Sequence, residues 1–165
     1  MLQPVVRRTW APRGHTPLLR QWDRHDRLSA VSALSISPQR HRLDLGWEAH
    51  RANLRTEQMV AFLRALRRRK AKAPLLILDR WSVHRSAVRR LRERSRRLQV
   101  EWLPSHAPEL NPVEQLWNHA KYTDLANRPP EDIDELESLV HRSIAQTRSQ
   151  SELLRSFFRT AKLKP

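Results

Sequence analysis

Residues 103–121, reading L-P-S-H-A-P-E-L-N-P-V-E-Q-L-W-N-H-A-K, constrain the fold more than any other stretch, because a proline-punctuated loop turns there into an amphipathic helix that carries a single carboxylate. Pro104 and Pro108 hold the approach extended, Asn111 is a good N-cap, and Pro112 suits the first helical position, where a missing N–H costs nothing. A helix is therefore predicted to start at Pro112. Val113, Leu116, Trp117 and Ala120 follow the spacing of a buried face, while Glu114, Asn118 and Lys121 share another. Two readings of Glu114 stand side by side. Asn111 and Glu114 have the spacing of a capping box, in which the carboxylate bonds back to the N-cap N–H. The same position also presents an acid to the loop, where it is free for chemistry.

The surrounding composition narrows the choice. At 165 residues the chain is one domain's worth, long enough to bury roughly two-thirds of its unfolded surface. No run of about 18 apolar residues occurs, and the first residues lack the apolar stretch of a signal peptide, so a soluble, intracellular protein with no membrane partner is expected. Without cysteine, disulfides and thiolate chemistry are excluded, and any metal must be held by Asp, Glu or His. The net charge of +15 and a pI near 11.6 suit a polyanion, since each neutralised phosphate releases counterions. The 27 Arg against 5 Lys match bidentate phosphate contacts, and equally match a biased codon usage. A solvated basic surface with no polyanion partner is the plainer alternative.

Taken in order, residues 1–17 contain R-R-T-W-A-P-R-G-H-T-P and read as extended chain and turns. Residues 18–22 form a short candidate strand. Residues 28–36 alternate small polar and apolar side chains, Ser37, Pro38 and Gln39 make a turn, and residues 40–47 alternate again as the hairpin partner. Thr56 is read as the cap of a helix with Met59, Phe62, Leu63 and Leu66 inward and a cationic far end. Leu75, Leu76, Ile77 and Leu78 look like a strand covered on both faces, ending at Asp79. Ser86 is read as the cap of a short Arg-rich helix with Val88 and Leu91 inward, and residues 98–103 form the strand that leads into the opening stretch. Pro129 and Pro130 then break the chain before a helix marked by Ile133, Leu136, Leu139, Val140 and Ile144, and residues 151–160 give a last short helix with Phe157 and Phe158. The order is that of an α/β fold. A core over residues 1–128 with C-terminal helices over 129–165 packed on it is expected.

Asp79 ends one strand and Glu114 begins a helix after the next, and the carboxyl edge of an open α/β sheet is where ligands bind. The two acids are expected to converge. Paired hard oxygen ligands favour Mg²⁺, and with a basic surface they point to phosphodiester chemistry supported by two ions about 4 Å apart. A strand-end Asp also serves simply as a turn cap, and that reading stays open.

These residues resemble a known family. L-I-L-D-R-W-S-V-H-R-S followed by L-P-S-H-A-P-E-L-N-P-V-E-Q-L-W, with 34 residues between Asp79 and Glu114, is similar to the second and third acids of the DDE catalytic domain of insertion-sequence transposases of the mariner-type superfamily. R-R-T-W-A-P-R-G-H-T-P is similar to the segment which that family carries soon after its first acid. The resemblance implies a ribonuclease H-like mixed sheet with flanking helices, two Mg²⁺ or Mn²⁺ ions, and cleavage and transfer of DNA strands at transposon ends in a bacterial cytoplasm. It makes Asp79 and Glu114 catalytic metal ligands and brings His84 near the site, although a structural His accounts for that position too. Arg80 stands where the family usually has Asn and sets a cation beside a ligand, while Asn111 and Lys121 fall near the DNA path, with a solvated Lys the plainer reading. The family's first Asp lies on the central first strand, shortly before the R-T-W-A-P segment. That strand and the upstream DNA-recognition helices are expected to be missing here. Asp23, Asp26 and Asp44 match no catalytic position.

Three functions follow as expectations. The chain is the C-terminal part of a transposase, active only when an upstream fragment or a frameshifted fusion supplies the missing Asp, with a homodimer or that upstream fragment as its protein partner. Alternatively, it is a catalytically dead remnant that binds DNA or associates with a transposase. An unrelated RNA-binding domain fits the charge and leaves the paired motifs unexplained.

Overall fold

A two-stranded ribbon lies between two cores. In the computed structural model, which describes residues 8, 10–15, 28–39, 41–70, 74–94 and 98–164, β1 (Ser29–Ile36) pairs antiparallel with β2 (Leu43–His50) from Ser29 opposite His50 to Ile36 opposite Leu43. The turn between them is closed by Ser37 N–H donating to the Arg42 carbonyl at 2.9 Å. Side chains alternate across the ribbon, as strand geometry requires. Leu34, Leu43, Leu45, Trp47 and Ala49 therefore face one way, and Val31 and Ala33 the other.

The first face is covered by the later part of the chain. Leu116 of α3 (Pro112–His119), Leu136, Leu139, Val140 and Ile144 of α4 (Ile133–Ser149), and Leu154 and Phe157 of α5 (Ser151–Thr160) form one cluster with Leu28 and Leu45. Leu45, Leu116, Val140 and Ile144 are fully buried, and each such side chain contributes about 1.5–3 kcal/mol. α4 starts where the sequence suggests, after the proline pair, with the Asp132 carboxylate accepting the Glu135 N–H at 2.8 Å.

The second face meets α1 (Thr56–Arg68) and α2 (Ser82–Arg94), whose Met59, Phe62, Leu63, Val88 and Leu91 are buried with Val31. A Cβ at Gly46 would meet Leu66 Cδ2 at 2.9 Å, so a residue without a side chain lets α1 lie close on the ribbon. Asp44 joins the ribbon to both layers. Its carboxylate lies 3.4 Å from Lys70 Nζ, just past α1, and accepts a bond from Arg148 of α4 at 3.0 Å. Burial by itself raises this carboxyl, but the two cations outweigh it and hold it below its ordinary value.

β3 (Leu75–Leu78) and β4 (Gln99–Trp102) form a second, parallel pair, connected through α2 and in register from Leu75 opposite Gln99 to Leu78 opposite Trp102. Among the described residues the two pairs share no ladder. The architecture is mixed α/β, as the sequence indicates, with small sheets flanked by helices.

Several local expectations are corrected. β3 is covered on one face only: Leu76 and Leu78 pack on the α1 and α2 side, while Leu75 and Ile77 are 52% and 53% exposed because no described element lies over them. Arg55, not Thr56, caps α1; its backbone is extended and its N–H donates to the Gln58 side chain at 3.1 Å. α2 begins a turn earlier than Ser86, because Trp81 already accepts the first helical bond from Arg85 N–H at 3.1 Å. β2 runs on to His50, past Trp47. In residues 10–15 a turn closes through His15 N–H to the Pro12 carbonyl at 3.0 Å, with Gly14 at a φ of 85° that favours glycine. The strand expected over residues 18–22, with Asp23 and Asp26, lies outside the described residues, as do most of residues 1–9 and residues 71–73. No described helix is long and apolar enough to cross a membrane.

Candidate active site

Asp79 stands at the carboxyl end of β3, where the chain leaves the sheet for α2. Its Oδ1 accepts the Trp81 N–H at 3.0 Å and the Nδ1 of His84 at 2.6 Å. The turn-cap role is thus real, and one oxygen carries it. Oδ2 has no protein partner among the described residues. The bond from His84 holds the Asp79 carboxyl below the usual carboxylate range, with the Trp81 N–H adding to it and burial opposing it. An ionised acceptor requires the proton on Nδ1 of the imidazole. The Trp81 ring stands edge-on to His84 at 5.3 Å and fixes the ring's plane. Trp81 was not singled out from the sequence, and its position between Asp79 and His84 is the only signal of it.

Arg80 does not crowd Asp79 by direct pairing. Its Nε donates to the Leu103 carbonyl at 3.2 Å, which draws the guanidinium across to the neighbouring strand end. Leu103 in turn donates its N–H to the Leu78 carbonyl at 2.8 Å, so the loop toward Glu114 leaves the sheet beside Asp79.

That loop passes through His106 at a φ of 57° and one turn of 3-10 helix, Pro108–Leu110, before α3. Asn111 caps α3 as expected, its side chain accepting the Val113 N–H at 3.1 Å, with Pro112 in the first position. The capping box does not form. The Asn111 N–H goes to the Pro108 carbonyl at 3.0 Å, and the half-buried Glu114 carboxylate makes no hydrogen bond or ion pair among the described residues. Past His119 the helix widens into a π turn, Ala120–Asp124. Asn118 lies on α3 with Glu114, Lys121 lies on the π turn, and Lys121 Nζ lies 5.9 Å from the Tyr122 ring.

The structure therefore gathers Asp79, Arg80, Trp81, His84 and Leu103 at one edge. Glu114 sits at the other end of the loop, with no hydrogen bond or ion pair to Asp79.

Residues 1–137 match the family model of the DDE superfamily endonuclease. The chain belongs to that family. The match takes in both strand pairs and α1 to α3 and ends within α4, so the edge just described falls inside it. No curated protein and no solved structure gives a match to the sequence. The mixed α/β architecture is that of a ribonuclease H-like DDE endonuclease domain, and membership implies DNA as substrate. DDE superfamily endonucleases usually use divalent metals, which need several oxygen ligands around each ion. Among the described residues no group of three or more His, Asp or Glu side chains is placed to hold one.

Proposed function

We propose that the chain is the C-terminal portion of a mariner-type insertion-sequence transposase that cleaves and joins DNA strands at transposon ends, with Asp79 and Glu114 as two of its acids. One observation carries the reading: in a DDE endonuclease chain, an ionised Asp79 with an unpartnered oxygen stands beside the start of the loop that leads to Glu114, whose carboxylate is left free by its helix cap. His84 is a positioning residue, orienting Asp79 and keeping it anionic. A third acid is required. We assign it to a strand outside the described residues that joins β1 to β3, since among the described residues the two pairs share no ladder. An upstream fragment or a fused segment brings it. Divalent Mg²⁺ or Mn²⁺ would supply activation of the attacking oxygen once that acid is present.

A second reading, a DNA-binding or transposase-associating remnant without catalysis, is favoured by the lack of a metal-capable cluster among the described residues. Nicking of supercoiled plasmid separates the two. The chain alone is expected to leave plasmid intact in Mg²⁺ or Mn²⁺, and fusion or co-expression of the upstream strand with its Asp is expected to restore nicking. Glu114→Gln in the restored protein should then lower nicking about a hundredfold or more, because it keeps size and removes an anionic ligand. Nicking by the unfused chain that survives Glu114→Gln would overturn the assignment, and a restored protein that stays silent would establish the remnant.

A further inference from the structure

Arg85, Arg89 and Arg92 follow the i, i+4, i+7 spacing of α2, so they rise from one side of the helix with successive Cβ atoms about 5–6 Å apart. All three are exposed. With Arg80 they line an open groove of about 470 Å³ whose apolar floor is Val88 and Trp102. Arg80, held by the Leu103 carbonyl, marks the end of the groove next to Asp79 in the chain.

The charges in this groove are unbalanced. Arg90, on another side of the same helix, is matched by Glu57 of α1 at 2.6 Å. By contrast, no described carboxylate lies within ion-pair distance of Arg85, Arg89 or Arg92, although Glu93 lines the same groove. A row of like charges one turn apart works against the helix that carries it, which argues for an external polyanion. The groove is open and holds no buried polar group aimed into it, which suits a polymer's backbone more than a small enclosed anion. The half-buried Trp102 offers an apolar surface to sugar rings between phosphates.

We infer that this groove seats the phosphodiester backbone of DNA and leads it along α2 toward the Asp79 edge. The inference rests on the DNA-endonuclease reading above and adds the surface by which the strand is held. Because guanidinium groups here meet phosphates and not base edges, the contact is indifferent to sequence.

The test is a salt titration of the full chain with a fluorescein-labelled DNA duplex of arbitrary sequence, followed by anisotropy. Arg85→Gln/Arg89→Gln/Arg92→Gln is expected to weaken binding about tenfold or more and to reduce the slope of log affinity against log salt by about 2–3. Arg68→Gln/Arg128→Gln/Arg142→Gln removes the same charge from exposed positions elsewhere and is expected to weaken binding less than about threefold, with less than one unit of slope lost. Far-UV circular dichroism checks folding, and the single Arg89→Glu replaces the triple if the triple melts early, with about threefold weaker binding expected. Equal losses in both triples, or an unaffected Arg89→Glu, overturn the groove and leave the DNA reading standing. Absence of any salt-sensitive binding by the unaltered chain overturns the DNA reading itself.

Discussion

The β1–β2 ribbon sends apolar side chains into a core on each of its faces, whereas the β3–β4 pair buries Leu76, Leu78, Val100 and Trp102 on one side and leaves Leu75 and Ile77 half exposed on the other. Parallel strands are ordinarily covered on both faces, so the second pair is the unusual one. The difference separates the roles of the two regions. The ribbon holds the molecule together, and the thinner pair carries Asp79 and the start of the loop to Glu114. A site built on the less covered unit can be completed by another strand without breaking the main core.

The largest effect that tests this division is a cavity in the ribbon's core. Leu116→Ala, at a fully buried position against the ribbon, should cost about 2–5 kcal/mol in denaturant unfolding, and Leu78→Ala, half-buried on β3, about 1–2 kcal/mol. Equal losses would erase the distinction between the two pairs. A smaller effect concerns Asp44, the tie between the ribbon and both helical layers. Its folded carboxyl lies below the unfolded value near 3.9, so its contribution is present above that pH and fades as pH falls through the lower folded value. Because the carboxylate is partly exposed, that contribution is at most about 1 kcal/mol. Asp44→Asn should therefore lower stability at neutral pH by that amount and flatten the acid limb of a stability-against-pH curve; an unchanged limb removes Asp44 as the tie. The smallest effect belongs to the bare face. Ile77→Lys should change stability by no more than about 0.5 kcal/mol and reduce light scattering on concentration, since it places charge on an exposed apolar patch. A loss above about 2 kcal/mol would mean that Ile77 is covered in solution.

How much of this could be read from the residues depended on whether the deciding interaction was local. Asn111 and Pro112 fixed the start of α3 because a side-chain cap and a missing N–H act within three residues. The buried faces of α1 and α4 followed from spacing alone. The start of α2 did not, because Asp79 reaches forward to the Trp81 N–H and moves the first turn ahead of Ser86. An apolar tetrad reads alike whether one face or two are covered, so Leu75 and Ile77 gave no sign of their exposure. The bond between Asp79 and His84 spans five residues across a strand-to-helix turn, a spacing that neither strand nor helix periodicity picks out.

The tie between Asp44 and Arg148 joins residues 104 positions apart, and α3, the first of the helices that cover the ribbon's first face, begins 62 positions after the ribbon ends, at Pro112 against His50. On a ribosome that adds about 5–20 residues per second, the ribbon emerges roughly 3–12 s before the first of those helices exists. For that interval Leu34, Leu43, Leu45 and Trp47 have only water or a chaperone to meet. The order of synthesis, and not the depth of the finished core, then sets when this chain is most exposed to aggregation.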